Sequence, residues 1–201
     1  MPAFIDTHAH LHFDAYATRE ADYLARARAA GVEIIITVGV SIDDTRLAIA
    51  CAGRHPEVYA TAGIHPTDGA ADTERLEELR PLAQEPKVVA IGECGFDFFH
   101  KGVDKATQEH VFRYQIELAL ELDLPLVFHV REGFDDFYRV LADYPEARGI
   151  LHCFTGNQHD LERALERDLA IALNGIATYT KVPEQIKAFK SVPLSNLVLE
   201  T

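Results

Sequence analysis

The chain has 201 residues, enough for one sizeable core and short for two. Hydrophobic residues make up 48% and charged residues 25%, the balance of a folded soluble protein rather than a disordered one. A net charge of −13 opposes loose, non-specific attraction to nucleic acid, and no apolar run approaches the roughly 18 residues that a membrane helix needs.

Short, β-rich apolar runs predict strands at 3–7, 32–40, 58–63, 88–92, 125–130, 149–153, 169–174 and 197–201. Several, such as EIIITVGV and LVFHV, are nearly continuous in apolar residues, as strands of a parallel sheet buried on both faces would be. Between them, apolar residues three and four apart predict helices at 19–30, 43–53, 72–83, 105–122, 134–142, 158–168 and 184–189. The first of these should stop at Gly31. Cys51, Cys94 and Cys153 are odd in number and form no C-x-x-C, so neither a disulfide framework nor a structural zinc site is expected. The opening residues lack the pattern of a signal peptide, and a reducing cytoplasm is the expected location.

Eight strands alternating with helices place the chain in the α/β class, as a single (β/α)8 TIM barrel domain over 1–201. A doubly wound sheet would more usually stop at five or six strands, and the first βα turn, THAHLHFDAY, has no glycine-rich phosphate loop. Such a barrel usually takes about 250 residues, so the last helix is expected to be missing after Thr201. In this fold the chemistry sits at the C-terminal ends of the strands.

Those ends carry a pattern. His8 and His10 leave the first strand as His-x-His, which puts both imidazoles on one face. Glu93 closes the fourth strand, His129 the fifth and His152 the sixth. A carboxylate ending an apolar strand is costly unless it meets a cation or donors. Imidazole with carboxylate suits zinc, manganese or a similar divalent ion, and Glu93 could bridge two ions, with His8 and His10 on one and His129 and His152 on the other. Cys94 and Cys153 adjoin two of these residues, but strand alternation would turn them to the opposite face, into packing.

In order along the chain, IDTHAHLHF, TAGIHP, IGECGFDFF, LVFHVRE, LHCFTGN and LVLET resemble the TatD-like metal-dependent deoxyribonuclease family. The resemblance implies a TIM barrel, divalent ions (zinc, manganese or magnesium) and phosphodiesterase activity on DNA, often exonucleolytic. It implies the same five metal ligands, with Glu93 central to catalysis. His65 of GIHP also matches a family motif, as a phosphate contact, a supporting donor or a histidine packed in its turn. Arg131 reads equally as a phosphate partner or a surface ion pair, and Asp97 as a residue orienting a ligand or capping its loop. Relatives continue past LET into an aspartate ligand, which is not among these residues, and Glu200 is not expected to replace it because it would fray. His12 stands where relatives commonly have aspartate, leaving room for a different metal or substrate contact. The alternatives are a metal-dependent amide, ester or aminoacyl-tRNA hydrolase on the same barrel, or an inactive, truncated metal-binding form. Many metal hydrolases of that kind bridge their metals with a carboxylated lysine on the fourth strand, where this chain has Glu93 and its nearest upstream lysine is Lys87.

Overall fold

A computed structural model describes residues 3–201. Eight parallel strands pair in chain order: β1 (Phe4–Ala9), β2 (Val32–Val38), β3 (Val58–Ala62), β4 (Val88–Asp97), β5 (Leu126–Arg131), β6 (Gly149–Leu151), β7 (Ala170–Leu173) and β8 (Leu197–Leu199). This is the expected (β/α)8 barrel, nearly closed. At the seam between β1 and β8, side chains do the joining. Thr7 Oγ1 donates to the Leu199 carbonyl at 3.1 Å, and the Asp6 carboxylate accepts both the Thr201 N–H and its hydroxyl.

The helices follow local capping chemistry. They are α1 (Asp14–Ala17), α2 (Glu20–Ala29), α3 (Ile42–Arg54), α4 (Gly69–Asp72), α5 (Leu79–Ala83), α6 (Lys105–Leu122), α7 (Phe134–Leu141), α8 (Gln158–Glu166), α9 (Ile176–Tyr179) and α10 (Pro183–Ser191). Ser41 caps α3 by accepting the Asp44 N–H, and Asp104 caps α6 through Thr107. Asn157 and Asp160 form a reciprocal capping box on α8. After α2 the chain turns at Gly31, whose φ of 88° is open to glycine.

The predicted helix over 72–83 is instead three pieces: α4, a 3-10 stretch Thr73–Glu78, and α5. Pro81 supplies no N–H, so it is tolerated only within the first turn of a helix, which makes α5 start late. Asp72 meanwhile spends its carboxylate on the Ile42 N–H at the start of α3. The short α1 and α9 were not predicted, because one turn is too little to show a helical period.

The core joins the sheet to the flanking helices. Phe112 of α6 packs edge-to-face on Phe128 of β5, and Phe137 of α7 contacts both rings. All three are fully buried, and truncating one to alanine would cost about 3–5 kcal/mol. The outer faces of β1 and β8 are barer, with Phe4, Ile5 and Leu199 each about half exposed.

Candidate metal centre

Glu93 is aimed by an irregularity in its strand. In the ladder between β4 and β5, Gly92 pairs with Val127 and Cys94 with Phe128, so Glu93 falls in a bulge and has no partner. The backbone there is crowded. A Cβ on Gly92 would sit 2.4 Å from the Val127 carbonyl oxygen, at a φ of 135°, and one on Gly63 would strike the Gly92 carbonyl carbon at 2.1 Å. Two glycines thus let β3, β4 and β5 close tightly beneath a buried carboxylate.

Around that carboxylate the other four predicted ligands converge. Glu93 Oε2 lies 3.3 Å from His8 Nε2, and His8 Nε2 faces His10 Nε2 at 3.3 Å. Glu93 Oε1 lies 2.7 Å from His129 Nδ1 and 3.2 Å from His152 Nε2. His65 joins them, its Nε2 3.7 Å from Oε1. Groups whose donor atoms could share an ion are His8 with Glu93 and His152, His65 with Asp97 and His129, and His152 with Cys153 and Glu200.

Neighbouring groups fix each ring. The Val38 carbonyl, 3.0 Å from His10 Nδ1, takes that N–H and leaves Nε2 as the free lone pair. Asp97 is fully buried at the end of β4, with Oδ2 3.0 Å from His129 Nε2. It also accepts the His100 N–H, so it both orients His129 and caps its loop.

Glu200 overturns the expectation of fraying. It is buried, accepts the Cys153 N–H at 2.7 Å and the Asn174 amide at 3.2 Å, and places Oε1 3.1 Å from His152 Nδ1. That last contact is close but off the hydrogen-bond line. Sequence reasoning missed this residue because its burial depends on loops 26 to 48 positions away.

The remaining residues divide. His12 is buried with both ring nitrogens engaged, Nδ1 on Thr37 and Nε2 on Asp44, so it ties loop to sheet rather than facing a ligand. Arg131 pairs with no carboxylate among the described residues and instead lies over the Phe99 ring at 3.9 Å. Cys94 is packed away as expected, its thiol held well above the ordinary range by burial. Cys153 differs: it has left the β6 ladder, at a φ of 43°, so strand alternation does not apply to it. All three cysteines are free.

The electrostatics follow from burial and pairing. Burial opposes ionisation of Glu93, but the charges of His152 and His8 and a hydrogen bond from His129 hold it well below the usual carboxylate range. Burial likewise opposes charge on His129 and His152, yet hydrogen bonds from His129 to Asp97 and Glu93, and the Glu93 charge beside His152, keep both above the ordinary value. His10 and His65 go the other way, pushed down to about 4 chiefly by burial. Both are therefore neutral near pH 7, the form in which imidazole can bind a metal.

This donor set fits divalent ions. Ligand atoms about 2.0–2.1 Å from a tetrahedral metal lie about 3.4 Å apart, close to the His8–His10 and His8–Glu93 separations. His8 Nδ1 and Glu200 Oε2 are buried without hydrogen-bond partners, the signature of a polar cluster not satisfied by protein alone.

Comparison with known proteins decides the family. A profile described as TatD related DNase matches residues 5–201. The chain belongs to the TatD family. It is 36% identical over 184 residues to a protein of Cronobacter turicensis named 3'-5' ssDNA/RNA exonuclease TatD, covering 90% of this chain and 70% of that one. It is 33% identical over 199 residues to the Bacillus subtilis uncharacterized metal-dependent hydrolase YabD, covering 98% and 78% of the two chains. The crystal structure of a TatD family hydrolase from Entamoeba histolytica superposes with a TM-score of 0.90 at 28% identity, over 100% of this chain and 73% of that one. Among the described residues no helix is long and apolar enough to cross a membrane.

Proposed function

We propose that this TatD family chain is a metal-dependent phosphodiesterase acting on DNA, removing nucleotides from an end, with two divalent ions held by His8, His10, Glu93, His129 and His152. The observation that carries this reading is the division of Glu93. Its Oε2 faces His8, which meets His10, while its Oε1 faces both His129 and His152. A carboxylate so divided suits a bridge between ions about 3.5–4 Å apart. Zinc, manganese or magnesium bound there would supply an activated water at neutral pH and a positive centre for phosphate oxygens.

The chain's own residues hold that geometry. Asp97 orients His129, Glu200 lies behind His152, and the Val38 carbonyl fixes the tautomer of His10. His65, neutral and 3.7 Å from Glu93, is placed to donate to a phosphate oxygen, and Arg131, beside Asp97 in the β4–β5 ladder, is a contact for the substrate strand. With a net charge of −13, DNA affinity should concentrate at the ions rather than spread over the surface. The name of the Cronobacter relative supports a nucleic-acid substrate.

Incubation with end-labelled single-stranded DNA, with and without manganese or magnesium, tests the proposal beside a panel of esters and amides. Metal-dependent shortening of the strand, abolished by chelation, is expected. Turnover of the esters or amides with intact DNA would replace this reading with the second hydrolase class.

A further inference from the structure

Beyond the ligand cluster, the loops after β5, β6 and β7 enclose a cleft of about 500 Å³, of which the reading above uses only Arg131. Arg131 and Tyr179 of α9 both line it. Tyr179 is 70% exposed, and Phe99, which carries the Arg131 guanidinium on its face, is 49% exposed. Tyr179 thus presents an open aromatic face within the cleft, and Phe99 supports the guanidinium that enters it.

The charges in the cleft say what it binds. Its basic lining is Arg131 alone, against the carboxylates of Glu132, Asp160 and Glu184. A phosphate chain threaded through it would be repelled, whereas a neutral, flat base would not. Aromatic rings and a planar guanidinium offer stacking faces that accept any base. The cleft is also connected to the metal centre by short links. Arg131 pairs with Asp97 across the β4 and β5 ladder, Asp97 contacts His129, and Thr155 and Gly156 follow His152 by three and four residues.

Resting on the phosphodiesterase reading, we infer that this cleft is a nucleobase subsite, in which Tyr179 and the Arg131 guanidinium, itself seated on Phe99, stack a base adjoining the scissile phosphate. Bases of a duplex are already stacked on their neighbours, so the subsite selects single-stranded ends.

The chain contains no tryptophan, so the Tyr179→Trp variant places one fluorescent reporter in the cleft. Titrating it, in the presence of magnesium, with a single-stranded oligonucleotide protected by phosphorothioate linkages should quench that fluorescence. The same oligonucleotide with abasic terminal positions should leave it unchanged. This readout needs no cleavage, so it is independent of whether the wild-type chain hydrolyses DNA. In the cleavage assay, Tyr179→Ala and Phe99→Ala should raise KM about tenfold for the normal strand and leave the abasic strand unaffected. Equal quenching by both oligonucleotides, no quenching by either, or equal loss on both substrates would overturn the subsite. Base-dependent quenching in the Tyr179→Trp variant, with a wild-type chain that cleaves neither strand, would instead overturn the phosphodiesterase reading.

Discussion

Two of the places where this molecule gathers opposite charges differ in burial, in the kind of cation and in what they can do chemically. On the outer surface, Arg75 reaches Asp43, Asp72 and Glu78, while Arg46 reaches Asp43 and Glu78. Most of those side chains are open to water, Asp43 being 74% exposed, and the cations are guanidinium groups that bind no metal. At the mouth of the barrel the side chain of Glu93 is 4% exposed, its partners are imidazoles, and buried polar atoms nearby lack partners. Counting guanidinium–carboxylate pairs would rank the outer network first. Burial, ligand type and unsatisfied atoms identify the mouth instead.

The largest effect should come from Glu93→Gln. The substitution keeps the shape but removes the charge that four imidazoles face, so metal-dependent hydrolysis should fall to the level of a metal-free control while circular dichroism stays native. Retained activity in that variant would erase the distinction between the two clusters.

A smaller loss is expected behind the ligands. Asp97→Asn and Glu200→Gln disturb the orientation of His129 and His152, and each should weaken metal affinity by about 10–100-fold, measured by calorimetric titration. A merely structural role would lower the melting temperature and leave metal affinity alone.

Much of this was legible in the chain. The spacing of His8 and His10, and polar residues closing runs such as AIGE, LVFH and GILH, gave the five convergent residues before any coordinates. The barrel followed from alternation alone. What was not legible depended on contacts remote in sequence. Glu200 reads as a chain-end residue until Cys153 and Asn174 are seen to hold it. The bulge at Glu93 hides inside an apolar run, because sequence alternation does not report a lost ladder partner. The resemblance supplied His65, whose place beside Glu93 no local pattern specifies.

The smallest effect belongs to the outer network. Arg75→Ala should leave hydrolysis unchanged and lower the melting temperature by no more than a few degrees at neutral pH. Hydrogen bonds from Arg75 and Arg46 hold Glu78 down at about 2. A carboxylate whose value is lowered by folding stabilises the native state above its ordinary value, near 4.5, and loses that contribution as pH falls toward about 2. Melting curves of the wild type and Arg75→Ala should therefore draw together across that window, and a gap that widened there would contradict the assignment.

The central claim is that the buried cluster at the strand ends is a metal centre built around Glu93. Calorimetric titration of manganese into the chelator-stripped protein tests it most directly, with Glu93→Gln in parallel. The account predicts two bound ions per wild-type chain and loss of tight binding in the variant. Absence of binding to the folded wild type, or equal binding by both proteins, would contradict it.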